Sequence, residues 1–184
     1  MNREKYLNML KEKVKEENLI KHMLSVESIM RGLARRFGED EEKWGITGLL
    51  HDIDYEATKD DPYKHSLIGA EWLKEFGFED EIVHAVKAHN DRHGVERNTL
   101  LSKSLWAADP ISGFVIAVAL VRPDRKLASV ELKSMKKKFK EKSFAAGADR
   151  EQILSCEKEL GISLDEFLEL SLKAMQSIAS DLGL

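Results

Sequence analysis

The chain has 184 residues, 42% of them hydrophobic and 34% charged, with a formal net charge of −4. That length can bury a core without disulfide staples, and that balance excludes a disordered or low-complexity polymer. A mildly acidic chain carries no global basic field for nucleic acid or an anionic membrane, and its one cysteine, Cys156, excludes an internal disulfide or a thiolate zinc cluster.

With only three prolines and eleven glycines, long helices are expected. Residues 1–17 alternate charged and apolar side chains and lack the apolar core of a signal peptide. The longest apolar run, Phe114 to Val121, is far shorter than the roughly 20 residues of a membrane span. A cytoplasmic chain without a membrane partner is the expectation.

Tyr6, Met9, Leu10 and Val14 predict a first helix over 2–15. Asn18 is the expected cap of a second, in which His22, Val26, Ile29 and Leu33 share one face and which ends near Gly38. A third runs from about Asp40 to Leu50 and stops at His51-Asp52. Residues 53–61 read as a polar loop, with Asp61 as cap and Pro62 as first residue of a helix carrying His65, Ile68, Trp72 and Phe76. Residues 79–89 form another helix, followed by a polar loop over 90–98. Thr99 caps a long apolar helix to Val121, which Pro110 is expected to interrupt and kink. A lysine-rich helix from Ser129 to about Lys142 follows, then helices over 149–160 and 163–181, the last opened by the capping box Ser163-Leu-Asp-Glu166. No period-two run is long enough for a strand, so the fold class is all-α. Cys156, beside Leu154 and Leu160, is expected to be buried or half-buried.

The sharpest chemical feature is adjacent His51-Asp52 at the end of the apolar run Ile46 to Leu50. Imidazole nitrogen with carboxylate oxygen suits a divalent transition metal, and such mixed sets with open positions are catalytic rather than structural. Neighbouring side chains on a helix lie about 100° apart, so both reach one ion only if the helix ends there. Asp109, before Pro110 in an apolar helix, is costly unless a charge meets it.

The helix histidine His22, the stretch Leu49-Leu-His-Asp-Ile53 and the distant Ala107-Ala-Asp109 together resemble the HD superfamily of metal-dependent phosphohydrolases. Lys64-His-Ser-Leu-Ile-Gly-Ala-Glu71 and Ala85-Val-Lys-Ala-His89 look like its HDIG branch, with similar blocks in ribonuclease Y-type enzymes and HD-GYP phosphodiesterases. The resemblance covers roughly residues 19–125 and implies a helical HD domain within 1–184, with a C-terminal helical extension over about 126–184. It implies that His22, His51, Asp52 and Asp109 hold a first metal, and that Asp52 bridges to a second held by His65 and His89. The reaction implied is hydrolysis of a phosphomonoester or pyrophosphate bond in a small phosphorylated molecule, a nucleotide being the favoured class. His51, Asp52 and Asp54 are its catalytic candidates, and Mn, Fe, Co, Ni and Zn, as one or two ions, its candidate cofactors. A phosphodiesterase acting on RNA or a cyclic nucleotide, and a non-catalytic nucleotide-binding module, are the alternatives. The sequence departs from the branch where its glycine is Asp54, where a lysine is missing after that block, and where His-His is His89-Asn90. No Gly-Tyr-Pro signature follows His89, which argues against a cyclic dinucleotide.

Other candidates are open. Asp54 and Glu56 suit a general base or an ammonium contact, against a solvated loop. His84, Arg122, Arg125 and Lys138 are candidate substrate or phosphate contacts. The run Lys133 to Lys142 reads as a wet helix face or an electropositive lip, and Ala145-Ala-Gly147 as a turn that a ligand can approach. His93 reads as a solvated loop side chain, with a substrate contact as the alternative. Trp72, Trp106 and Phe114 read as core. Homo-oligomerisation is left open.

Overall fold

The structure, a computed structural model, describes residues 2–184. Among them there are helices and turns but no strand. Helix α1 (Arg3–Lys13) lies on α3 (Glu41–Leu50) and is tied to α2 (Glu17–Phe37) by Arg3, whose guanidinium holds buried Glu27 at 2.6 and 2.8 Å. The stripe predicted for α2 is the one buried: Val26, Ile29 and Leu33 face the core. Its N-terminus differs from expectation. Asn18 lies inside the helix and Glu16 is the cap residue, without a side-chain bond. The backbone N–H groups of Lys15 and Glu16 instead donate to the distant Glu56 carboxylate, at 2.6 and 3.2 Å.

Helix α3 starts where Asp40 accepts from Lys43 N–H and buries Trp44 through Leu50 against α2. The two helices approach closely at Gly48, where a Cβ would lie 2.9 Å from the Val26 carbonyl oxygen. That contact sits one turn ahead of His51.

The expected loop over 53–61 holds a short helix, α4 (Tyr55–Thr58). The expected start at Asp61-Pro62 is incorrect: residues 62–66 are turns, and α5 (Leu67–Glu75) begins after Ser66 at φ 68°. The physical reason is Asp54. Its buried carboxylate accepts the Ser66 and Gly69 N–H groups at 2.8 and 2.9 Å and so caps α5 from a distance. His65 therefore lies in the turn before the helix. Helix α6 (Asp80–Ala88) pairs with α5, and the 3-10 turn Asp91–His93 follows.

Helix α7 (Leu100–Leu120) is capped by a box between Thr99 and Ser102. By length and composition it is apolar enough to cross a membrane, yet it is packed by α2, α6, α9 (Arg150–Glu159) and α10 (Leu164–Gln176). It runs unbroken through Pro110. Proline cannot bond the carbonyl four residues back, that of Trp106, and Gln152 Nε2 of α9 donates to it at 2.8 Å instead.

Ser129 closes a 3-10 turn, and the lysine-rich helix is shorter than expected, α8 (Leu132–Lys140). The predicted last helix is two, α10 and α11 (Ala179–Leu182), separated at Ser177-Ile178. Only half of the expected capping box forms: Ser163 accepts from Glu166 N–H, but the Glu166 carboxylate pairs with Arg36. One continuous apolar core joins α2, α3 and α7 to the extension, with Phe114 and Phe167 both fully buried.

Candidate metal centre

Six side chains named from the sequence converge where α2, α3, α6 and α7 meet. His22 projects from α2 and Asp109 from α7. His51 closes α3, its Nδ1 bonded to the Gly48 carbonyl at 2.8 Å. The chain turns at Asp52, so two adjacent side chains reach one point despite their angular separation on a regular helix. His89 closes α6, and His65 comes from the turn before α5.

Asp52 stands between two clusters. Its Oδ2 lies 3.6 Å from His22 Nε2 and 3.5 Å from His51 Nε2, while its Oδ1 lies 3.3 Å from His65 Nε2 and 3.1 Å from His89 Nε2. Asp109 Oδ1 completes the first cluster, 3.3 Å from His22 Nε2 and 3.9 Å from His51 Nε2. Within each cluster the two Nε2 atoms are 3.2 Å apart.

The orientation of each ring follows from its other nitrogen. His51 and His89 donate Nδ1–H to the carbonyls of Gly48 and Val86, at 2.8 and 2.6 Å. Ser112 Oγ donates to the Asp109 carbonyl at 2.7 Å, which leaves its oxygen to accept His22 Nδ1–H at 3.0 Å. His65 donates Nδ1–H to Asp54 Oδ1 at 3.1 Å. Every ring thus presents Nε2 to the centre, the arrangement that outer hydrogen bonds impose on histidine ligands.

Electrostatics agree with this reading. Burial, opposed by Asp52, pushes His51 down to about 4, so its inward nitrogen is a bare lone pair facing His22. Burial alone would raise Asp52, but the surrounding His51, His65 and His89 hold it well below the usual carboxylate range. For His65 desolvation is outweighed by Asp52 and Asp54, which raise it to about 10. The carboxylates that favour a proton there favour a metal cation equally. Nitrogen and oxygen donors about 3–4 Å apart suit bonds of roughly 2 Å to a shared ion. Among the described residues two groups meet this condition, His22-His51-Asp52 and Asp52-His65-His89, and they share Asp52. The residues present therefore fit divalent transition ions, and the donor set does not choose among them.

The centre opens into a cleft of about 570 Å³, floored by Asp52, His65 and His89 and walled by Tyr55, Trp106 and Gln152. A smaller cavity of about 330 Å³ opens on His22 and Asp109 against Pro110, Gly113 and the Ala145–Ala148 turn. Arg150 pins that turn through the carbonyls of Phe144, Ala145 and Ala148.

Several expectations are corrected. Asp54 is fully buried and occupied by Ser66, Gly69 and His65, so it orients His65 and has no freedom to act as a base. Glu56 belongs to the start of α2. Arg122, Arg125, Lys138 and His84 do not line the cleft. Arg122 bonds Ser129 at the far end of α7, about 20 Å along the helix from Asp109 at 1.5 Å per residue. Arg125 lies in an exposed turn, Lys138 pairs with Glu141 against Phe144, and His84 Nε2 is buried without a partner among the described residues. Phe114 is core, whereas Trp72 is half-buried beneath Lys13, and half-buried Trp106 lines the cleft. Sequence reading missed Ser112, although three residues after Asp109 is the same helix face. It also missed His93 and Asn90, which bond the His65 carbonyl at 2.7 and 3.1 Å. No sequence spacing signals that contact.

The HD domain family matches residues 19–120. Ribonuclease Y of Lawsonia intracellularis is 36% identical over 97 residues, 53% of this chain and 18% of that protein. Ribonuclease Y of Oleidesulfovibrio alaskensis is 34% identical over the same length and shares. Ribonuclease Y 2 of Levilactobacillus brevis is 31% identical over 116 residues, 62% of this chain and 20% of that protein. The chain thus spans about a fifth of the length of the curated relatives it matches. No solved structure matches it. A family match over more than half of the chain, on a helical fold that gathers the ordered histidines and aspartates at one centre, places the protein in the HD-domain family of metal-dependent hydrolases.

Proposed function

We propose that the chain hydrolyses a phosphoester or pyrophosphate bond of a nucleotide-class substrate at a two-site metal centre bridged by Asp52. The observation that carries this reading is the division of Asp52, one oxygen toward His22 and His51 and the other toward His65 and His89. Divalent ions held there supply Lewis acidity for a phosphoryl oxygen and acidify water toward neutral pH. The chain's own groups do the positioning. Ser112, Gly48, Asp54 and Val86 fix the four rings, and the opening of about 570 Å³ is of a size that admits a nucleotide.

Asp52→Ala should lose bound metal and turnover of nucleotides while keeping its far-ultraviolet helix signal. Retained turnover would overturn the reading.

A second reading, an RNA phosphodiester as substrate, is favoured by the ribonuclease Y relatives and by the cavities that open on both sides of His22 and Asp109. The net charge of −4 weighs against it. Rates on single-stranded RNA against mononucleotides separate the two.

A further inference from the structure

The charged groups lining the larger cleft are the carboxylates of Asp52, Asp91 and Asp109, the histidine rings and a single guanidinium, that of Arg92. Asp91 is held by Arg97 at 2.6 Å, and Arg97 itself lies 3.9 Å over the Trp106 ring. Arg92 differs. Among the described residues its guanidinium pairs with no carboxylate within 4.0 Å, and it lies 5.4 Å over the Tyr63 ring. An arginine laid on an aromatic face keeps its edge donors free, in a fork that matches phosphate oxygens.

The position of this pair is fixed. Asn90 Nδ2 donates to the Pro62 and His65 carbonyls at 3.4 and 3.1 Å, and His93 Nε2 bonds the His65 carbonyl at 2.7 Å. These bonds fasten the turn carrying Arg92 to the turn carrying Tyr63 and His65, so the rim and the metal centre are one unit. Tyr63 is 67% exposed and Tyr55, edge-on to His65, is 42% exposed, leaving aromatic surface for a nucleobase beside the guanidinium. Arg92 lines the same cleft as Asp52 and Asp109 but forms no ion pair within 4.0 Å with either.

We propose that Arg92, stacked on Tyr63 at the mouth of the cleft, binds a substrate phosphate other than the one cleaved and makes the enzyme prefer substrates that carry one. This rests on the phosphohydrolase reading above and extends it to substrate class.

The test uses the full chain loaded with manganese and substrate pairs that share a scissile bond and differ by one phosphate. A diadenosine dinucleotide with and without a 5′-phosphate is one pair; adenosine 3′,5′-bisphosphate and adenosine 5′-monophosphate are the other. Wild type is expected to prefer the more phosphorylated member. Arg92→Gln should reduce that preference in kcat/KM roughly 10- to 100-fold, mainly through KM, as for one lost charge-assisted contact. Arg92→Lys should recover part of it, and Lys137→Gln, which removes an exposed charge on α8, should keep the wild-type preference. An unchanged preference in Arg92→Gln with normal metal content, or no preference in wild type, overturns this inference alone. A metal-loaded wild type that cleaves neither a phosphoester nor a nucleotide pyrophosphate bond overturns the phosphohydrolase reading as well.

Discussion

Each histidine at the centre has one nitrogen bonded to the protein and one turned toward the centre, and the bonds differ in kind. His51 and His89 bond carbonyls three residues back in their own helices, so local structure orients them. His22 and His65 depend on side chains from elsewhere, Ser112 and Asp54. Removing a ring should therefore empty its own half of the site. His22→Ala and His65→Ala are each expected to lower bound metal by about one ion per chain relative to wild type, because Asp52 serves both halves. Elemental analysis of protein prepared without chelator measures this, and an unchanged content in either variant contradicts the assignment. Asp54→Asn tests the orienting role. The amide replaces one acceptor oxygen with a donor facing Ser66 N–H, Gly69 N–H or His65 Nδ1–H, so unfolding free energy should fall by about 1–3 kcal/mol. Denaturant titration in the presence of chelator reads the loss apart from metal binding, and an unchanged midpoint would show that the contacts are dispensable.

At the scale of elements, the centre depends on how closely α2 and α3 pack. Gly48 admits the Val26 carbonyl where a side chain would intrude, and this brings His51 within reach of His22. Gly48→Ala should destabilise the fold by about 1–3 kcal/mol through overpacking and weaken metal binding at the His22 side. Thermal unfolding and metal titration check both effects; normal values for both would mean that the helices separate without disturbing the rings. Elements with their own stop signals were legible. The stripe of α2, the Gly38 terminus, the Thr99 cap and the end of α3 at His51 all follow from local spacing. The start of α5 was not legible, because its cap, Asp54, lies 12 residues before Ser66 and the local pair Asp61-Pro62 offered a false one. The uninterrupted course of α7 at Pro110 was equally hidden, since the group that donates to the freed Trp106 carbonyl comes from α9.

For the whole molecule, the extension is part of the same core. It supplies Gln152 to the cleft wall, Arg150 to the Ala145–Ala148 turn and Cys156 to the interior. Burial pushes the Cys156 thiol up to about 12, so almost no thiolate exists at pH 8 in the folded chain. Iodoacetamide should leave native protein unmodified and alkylate it fully in denaturant, as mass spectrometry would show. Rapid labelling of native protein would mean that the extension detaches from the core.

The sequence by itself determined the helical class, most helix boundaries and the identity of the six side chains at the centre, because periodicity, caps and residue chemistry are local properties. The tertiary structure decided what those side chains and their neighbours face. It made Asp54 an orienting group, moved Arg122, Arg125 and Lys138 away from the cleft, brought Arg92, Trp106 and Gln152 to its lining, and set Tyr63 against Arg92. Direction and partner depend on chain segments far apart in sequence, and only packing brings those together.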